Sequence, residues 1–285
     1  MNRSYKLLAL DLDGTLLDDQ RHLPEKNIAA LREAAALGAC IMPATGRPFC
    51  AAAWVFETLG LSEGLVLSQA GALVSRYPSG ETVFSRTLDR DFSRDLAEFC
   101  AEHSLYFHIM IGPDYYCLPG ASGPEKERSQ GTFGVPPIVL PFEEFCALTA
   151  GKADVPTPLG QAERVAALLK ERFGSRAEIQ ISGPGMVDVI PPGTDKGRAL
   201  LAAAQALGLS IEETAAFGDS GTDLPMIAAA GLGVCMENGF EQVKAAADVV
   251  APANNDAGVA WAVEKYVLPS LLKNQTKPTG SSGTL

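Results

Sequence analysis

The chain has 285 residues, and at about 150 residues per domain that length accommodates two domains around sizeable cores. Its formal charge is −11, which argues against nucleic acid and anionic membrane as partners, because proteins that bind either carry a basic footprint. Hydrophobic residues make up 47% and charged residues 20%, a globular composition that excludes a disordered chain.

In chain order, Leu7-Leu8-Ala9-Leu10 is a short apolar run, predicting a strand buried on both faces. It is too short for a signal-peptide core, and no stretch approaches the ~18 apolar residues of a membrane span. Pro24 occupies a helix-start position, and Ile28, Leu31 and Ala35 follow with helical spacing to a stop at Gly38. Cys40 to Met42 reads as a second strand, Pro48 to Leu59 as a helix and Leu65 to Leu67 as a third strand. Strands separated by helices predict a Rossmann-like, doubly wound parallel sheet.

The pattern changes between about Glu81 and Pro184. Phe92, Leu96 and Phe99 predict a helix, and Leu105 to Ile111 with Tyr115 to Leu118 predicts a hairpin across Gly112-Pro113-Asp114. Residues 120–137, rich in Gly, Pro and charge, read as loop, and Gln161 to Phe173 as a helix with Val165, Leu168 and Leu169 inward. After Val187 the alternation resumes: a helix at Asp195 to Leu207, a strand at Thr214 to Phe217 and a helix at Leu224 to Ala229. Leu232 to Cys235 and Asp248 to Val250 complete the strands, and Ala257 to Tyr266 is the closing helix. The expected organisation is a discontinuous core domain at 1–82 and 186–272, an inserted α+β cap at 83–185 and a disordered tail at 273–285. The six cysteines (Cys40, Cys50, Cys100, Cys117, Cys146, Cys235) include no C-x-x-C pair and read as reduced thiols, pointing to the cytoplasm.

Four sites carry chemistry. Asp11-Leu12-Asp13-Gly14-Thr15 follows the first strand, and ligands of open α/β sheets bind beyond the carboxyl ends of strands. Two neighbouring acids call for a cation or a held proton, and a hard ion such as Mg²⁺ suits oxygen ligands. Taken alone, D-x-D also suits a solvated turn. Ala44-Thr45-Gly46-Arg47 offers a hydroxyl and main-chain N–H groups before a helix, an anion-binding arrangement, although Thr45 also suits a plain N-cap. Arg47 either reaches substrate from the rim or forms a surface salt bridge. Lys196 lies on the inward stripe of its helix with Leu200, Ala203, Ala204 and Leu207, in a first turn where the dipole disfavours it. It fits if an anion meets it there, the alternative being a lysine that snorkels out past Gly197. Gly218-Asp219-Ser220-Gly221-Thr222-Asp223 brackets a turn with two further carboxylates. Each bland reading is tenable singly, but all four together, at the ends of predicted parallel strands, are not.

In order, D-L-D-G-T, A-T-G-R, T-D-K-G around Lys196 and G-D-S-G-T-D resemble the four motifs of the haloacid dehalogenase-like phosphohydrolases, over all but the tail of the chain. The insertion between the second and third resembles the Cof-type branch with a class IIB α+β cap. The resemblance implies Asp11 as nucleophile, and Asp13 as general acid and then base, with its main-chain carbonyl on Mg²⁺. It implies Thr45, the Gly46 N–H and Lys196 as phosphoryl-oxygen holders, Asp219 as a metal ligand and Asp223 as an orienting member of that metal site. The implied activity is Mg²⁺-dependent hydrolysis of a small phosphorylated metabolite, a sugar or polyol phosphate. The alternatives are a phosphosugar mutase, a non-catalytic Mg²⁺- and phosphate-binding relative and a phospho-acceptor module, the last opposed by Asp13. Thr222 and Ala70 stand where the branch pattern has Asn. His22, His103 and His108 do not cluster at ligand spacing and read as surface or structural residues. Tyr106, Phe107, Tyr115 and Tyr116 suit either a cap pocket or hairpin packing.

Overall fold

The apolar run at Leu7–Leu10 forms the first strand, and every side chain in it is fully buried, so both faces are covered. The computed structural model describes residues 4–275. In chain order the elements are β1 (Leu7–Leu10), α1 (Glu25–Ala36), β2 (Cys40–Pro43), α2 (Trp54–Leu59), β3 (Gly64–Ser68), β4 (Leu73–Tyr77), β5 (Thr82–Ser85) and α3 (Phe92–Glu102). Next come β6 (His108–Ile111), β7 (Asp114–Cys117), α4 (Pro124–Phe133), β8 (Ile138–Val139), α5 (Phe142–Cys146), β9 (Lys152–Pro156), α6 (Ala162–Phe173), β10 (Glu178–Gly183) and β11 (Met186–Ile190). The last are α7 (Lys196–Ala206), β12 (Thr214–Gly218), α8 (Leu224–Ala229), β13 (Leu232–Met236), α9 (Glu241–Lys244), β14 (Val249–Ala251), α10 (Gly258–Ala262) and α11 (Leu268–Gln275).

The chain divides into two compact units, one built from both ends (to Met42 and from Leu207) and one comprising Pro43–Ala206. The first holds a sheet ordered β14-β13-β12-β1-β2, in which β1, β12, β13 and β14 run parallel. The chain leaves β1 towards β2 on one side and later returns to β12 on the other. The strand order therefore reverses between β1 and β12, the place where open α/β sheets bind ligands.

The second unit holds a three-stranded sheet, β3-β4-β5, against which α7 packs, and a six-stranded sheet ordered β10-β11-β9-β6-β7-β8. Helices α3, α5 and α6 cover one face of the larger sheet, burying Phe92, Phe145 and Phe173 against Ile109, Ala153, Val155, Val187 and Val189. Because side chains alternate along a strand, Lys152, Asp154 and Asp188 lie on the other face. No helix among the described residues is long and apolar enough to cross a membrane.

Several expectations are revised. The third strand, β3, pairs antiparallel with β4, and its Leu67 makes one parallel bridge to Ala44. The expected helix at Pro48 to Leu59 begins as a 3₁₀ turn at Phe49–Ala51, where Ala51 and Ala52 make i→i+3 bonds and the Cys50 N–H goes to Pro113 O. The stretch read as loop at 120–137 contains α4, started by Pro124 at its first position and stopped by left-handed Gly134. Only Ser129 and Phe133 of α4 are buried, so it shows no apolar stripe. β11 bonds to β9 and β10 and so belongs to the six-stranded sheet, although the expected insertion ends at residue 185. The closing helix passes through a π turn at Val263–Val267 into α11. Residues 273–275 of the expected tail are thus helical, and the remainder lies outside the described residues.

Candidate active site

Asp11 leaves β1 and Asp219 leaves β12, so adjacent parallel strands deliver both carboxylates to the same end of the sheet. Asp11 stays in register through its N–H to Phe217 O (3.0 Å), and its own carbonyl accepts the Leu16 N–H (3.1 Å), closing the turn of the first motif. Gly14 occupies that turn at φ +86°, and a Cβ there would lie 2.7 Å from Asp219 Oδ2, so both backbone and space require glycine. Thr15 Oγ1 donates to Asp219 Oδ1 at 2.9 Å and ties the two loops together. Asp223 Oδ2 accepts from the N–H groups of Asp219 (3.2 Å) and Ser220 (2.9 Å) and from Ser220 Oγ (2.8 Å), curling the fourth motif around one carboxylate. Thr222, which replaces the family's Asn, joins this network through Ser220 Oγ at 2.9 Å.

The result is a set of three carboxylates, Asp11, Asp219 and Asp223, whose ligand oxygens lie within 4.8 Å of one another. Asp11 is 8% exposed and Asp223 fully buried. At that spacing a pair of like charges repels by roughly 3 kcal/mol at an effective dielectric constant of about 20. Hard oxygens from separate loops fit a divalent cation of the Mg²⁺ kind, which takes few protein carboxylates and completes its shell with water and phosphate. Asp13 is not a member of that set, and it is exposed.

The second motif lies in the other unit. Thr45 N–H donates to Leu67 O (2.8 Å), Thr45 O accepts from Ala70 N–H (3.1 Å), and Arg47 O accepts from Gln69 N–H (3.0 Å). The A-T-G-R loop is therefore stitched to the turn after β3. Gly71, at φ +100°, approaches so closely that a Cβ would lie 2.4 Å from Asp195 O, which fixes the start of α7 against the same turn. Lys196 opens α7, is 2% exposed, and donates from Nζ to Ala44 O at 2.8 Å. It faces inward instead of snorkelling. Arg47 is buried (8% exposed) and Nη1 donates to Thr132 O at 3.0 Å, which ties it to α4.

Three contributors were not foreseen from sequence. Thr15 is inside the first motif but had no role, and Asn238, whose Nδ2 donates to Gly14 O at 2.7 Å, follows β13 without a recognisable pattern. Lys152, from β9, donates to Gly46 O at 3.1 Å. The histidines are not ligands of the carboxylate set, and His108 is fully buried among Tyr115 and Phe133. Phe107 and Tyr115 are buried hairpin residues, with Tyr115 Oη donating to Val135 O at 2.5 Å.

This arrangement agrees with what the chain is similar to. A family model described as haloacid dehalogenase-like hydrolase matches residues 8–263. The chain belongs to the haloacid dehalogenase-like hydrolases. It falls in the Cof-type phosphatase branch, where several curated relatives carry phosphatase names. One relative, a 5-amino-6-(5-phospho-D-ribitylamino)uracil phosphatase of Bacillus subtilis, is 29% identical over 263 residues, covering 92% of this chain and 96% of that protein. A chloroplastic endoribonuclease of Arabidopsis thaliana is 30% identical over 277 residues, but the chain spans only 46% of its length. A crystal structure of a haloacid dehalogenase-like hydrolase from Bacteroides thetaiotaomicron matches with TM-score 0.83 and 27% identity, covering 92% of this chain and 99% of the other.

Proposed function

We propose that this haloacid dehalogenase-like hydrolase is a Mg²⁺-dependent phosphatase of small phosphorylated metabolites, of the sugar or polyol phosphate class, working through an aspartyl-phosphate. The observation that carries the reading is the convergence of Asp11, Asp219 and Asp223 at the strand-order reversal of the parallel sheet. The substrate class is supported by the B. subtilis relative, whose named substrate bears its phosphate on a ribityl chain. A reducing compartment, the cytoplasm, agrees with six cysteines that form no disulfide.

In this reading a carboxylate oxygen of Asp11 attacks phosphorus in line with the departing ester oxygen, and the P–O bond to the alcohol breaks. Asp13 gives its proton to that oxygen, then takes one from the water that attacks the aspartyl-phosphate, releasing inorganic phosphate and restoring Asp11. Thr45 Oγ1, the Gly46 N–H, Lys196 and Arg47 hold the phosphoryl oxygens. Mg²⁺, held by Asp11, Asp219, Asp223 and the Asp13 main-chain carbonyl, would supply charge neutralisation at the transferring group. Asp223 also keeps Asp219 in place through the bonds its Oδ2 accepts.

The test is a phosphate-release panel of sugar, polyol, nucleotide and cofactor phosphates, with Mg²⁺ and again with chelator. The expected result is release from sugar or polyol phosphates that chelator abolishes and Mg²⁺ restores. Release indifferent to the cation, or an isomerised sugar phosphate without free phosphate, would overturn the assignment.

A further inference from the structure

The strands of the six-stranded sheet carry a buried row of charge that the mechanism above does not use. His108 on β6 stands opposite Asp154 on β9, which stands opposite Asp188 on β11. Lys152 sits two positions before Asp154 on the same face, and all of these side chains are almost wholly buried. Lys152 Nζ lies 2.9 Å from Asp154 Oδ1 and 2.8 Å from Asp188 Oδ2, and donates to Gly46 O at 3.1 Å. Lys152 is thus ion-paired with both acids and hydrogen-bonded to the Gly46 carbonyl. The remaining acid oxygens are also engaged, Asp154 Oδ2 with His108 Nε2 (3.2 Å) and Asp188 Oδ1 with Ser182 Oγ (2.7 Å).

The acceptor on the loop is the informative one. Gly46 C=O belongs to the peptide plane whose other end is the Arg47 N–H, and that N–H donates to Thr45 Oγ1 at 3.2 Å. Gripping the carbonyl fixes the plane, and the plane fixes the hydroxyl: with Oγ1 accepting from Arg47, its own proton is left to donate. The Gly46 N–H meets no acceptor among the described residues, while the Gly46 carbonyl is held by Lys152. Such an arrangement presents a hydroxyl and an amide to an anion with little reorganisation.

We propose that Lys152 is a positioning residue for the phosphate-binding loop: anchored by Asp154 and Asp188, it holds the Gly46 carbonyl so that Thr45 Oγ1 and the Gly46 N–H meet a phosphoryl group. The inference rests on the phosphatase reading of the A-T-G-R loop. Burial opposes the Lys152 charge, but the two carboxylates outweigh it and hold the ammonium above its usual range, so the anchor stays charged.

The experiment compares the unaltered protein with Lys152→Met, Lys152→Arg and the double variant Lys152→Met/Asp188→Asn. The last removes one cation and one anion together, in case the first leaves two buried acids that prevent folding. Each is measured for binding of inorganic phosphate, for KM and kcat, and for melting temperature. Lys152→Met or the folded double variant is expected to bind phosphate ~10-fold more weakly and to lose ~10²-fold in kcat/KM, the scale of a displaced binding group. Lys152→Arg, which retains the charge, is expected to recover part of the phosphate binding. A merely structural role would lower kcat through a smaller active fraction and leave KM and phosphate affinity alone; that result overturns the proposal. So does an unaltered protein that binds no phosphate. If it binds phosphate but releases none from any ester, the phosphatase reading fails and the binding comparison still decides the role of Lys152.

Discussion

Asp11, Asp219 and Asp223 sit on loops that leave strand ends, whereas Lys152, Asp154 and Asp188 sit inside strands. The first group gathers like charges to oxygen distances within 4.8 Å and suits a cation drawn from solvent. The second brings its own cation and is sealed, each member at most 3% exposed. Charges inside a sheet are fixed by strand register, which makes them poor reactants and good anchors. Electrostatics follows the same division. Burial opposes the Asp154 charge, but Lys152 and His108 overcome it and bring its pKa down to about 2. For Asp188 burial prevails and the pKa is raised, so it is the first of the pair to take a proton.

Breaking the loop group registers first in turnover. Gly14→Ala places a methyl against Asp219 and strains a positive φ, so phosphate release should fall by ~10²-fold with a stability loss of roughly 1–3 kcal/mol. Steady-state kinetics and urea denaturation read both, and a variant with unaltered kinetics would detach Asp219 from the site. At the acids of the strand group, by contrast with Lys152, a substitution registers chiefly as stability. Asp154→Asn should cost about 2 kcal/mol at neutral pH, the worth of its lowered pKa, and more than Asp188→Asn, whose charge the fold disfavours. Because the folded pKa of Asp154 lies below the ordinary value, its stabilisation is present above 3.8 and disappears as the pH falls towards about 2. The denaturation midpoints of the wild type and Asp154→Asn should converge across that window, and a constant gap would mean that Asp154 is not held ionised. The smallest effect is at Ala70, which adopts φ +56° where the family pattern has Asn. Asn tolerates that region better, so Ala70→Asn should raise stability by up to ~1 kcal/mol, read as a higher melting temperature.

The same contrast explains what the sequence discloses. Loop motifs are contiguous: D-L-D-G-T and G-D-S-G-T-D show their spacing directly, and strands β1, β12 and β13 with helix α8 announce themselves through apolar runs. The sealed row is spread over three strands, and each polar residue looks like a surface position. In Lys152-Ala153-Asp154-Val155 the alternation reads as a half-exposed strand or a turn, since nothing local says that Asp188 and His108 cover the polar face. The V-D-V of β11, a lone acid in a buried run, was the available hint. Helix α4 escaped for the opposite reason: it buries so little that it has no hydrophobic period.

The most direct test of the account is to trap the reaction in rapid acid quench with a turned-over sugar or polyol phosphate and map the chain by mass spectrometry. A phosphoryl group on the peptide carrying Asp11, formed at the rate of turnover and missing from Asp11→Asn, is the expected result. Phosphate release that continues in Asp11→Asn, or a phosphoryl group carried by any other residue, would contradict it.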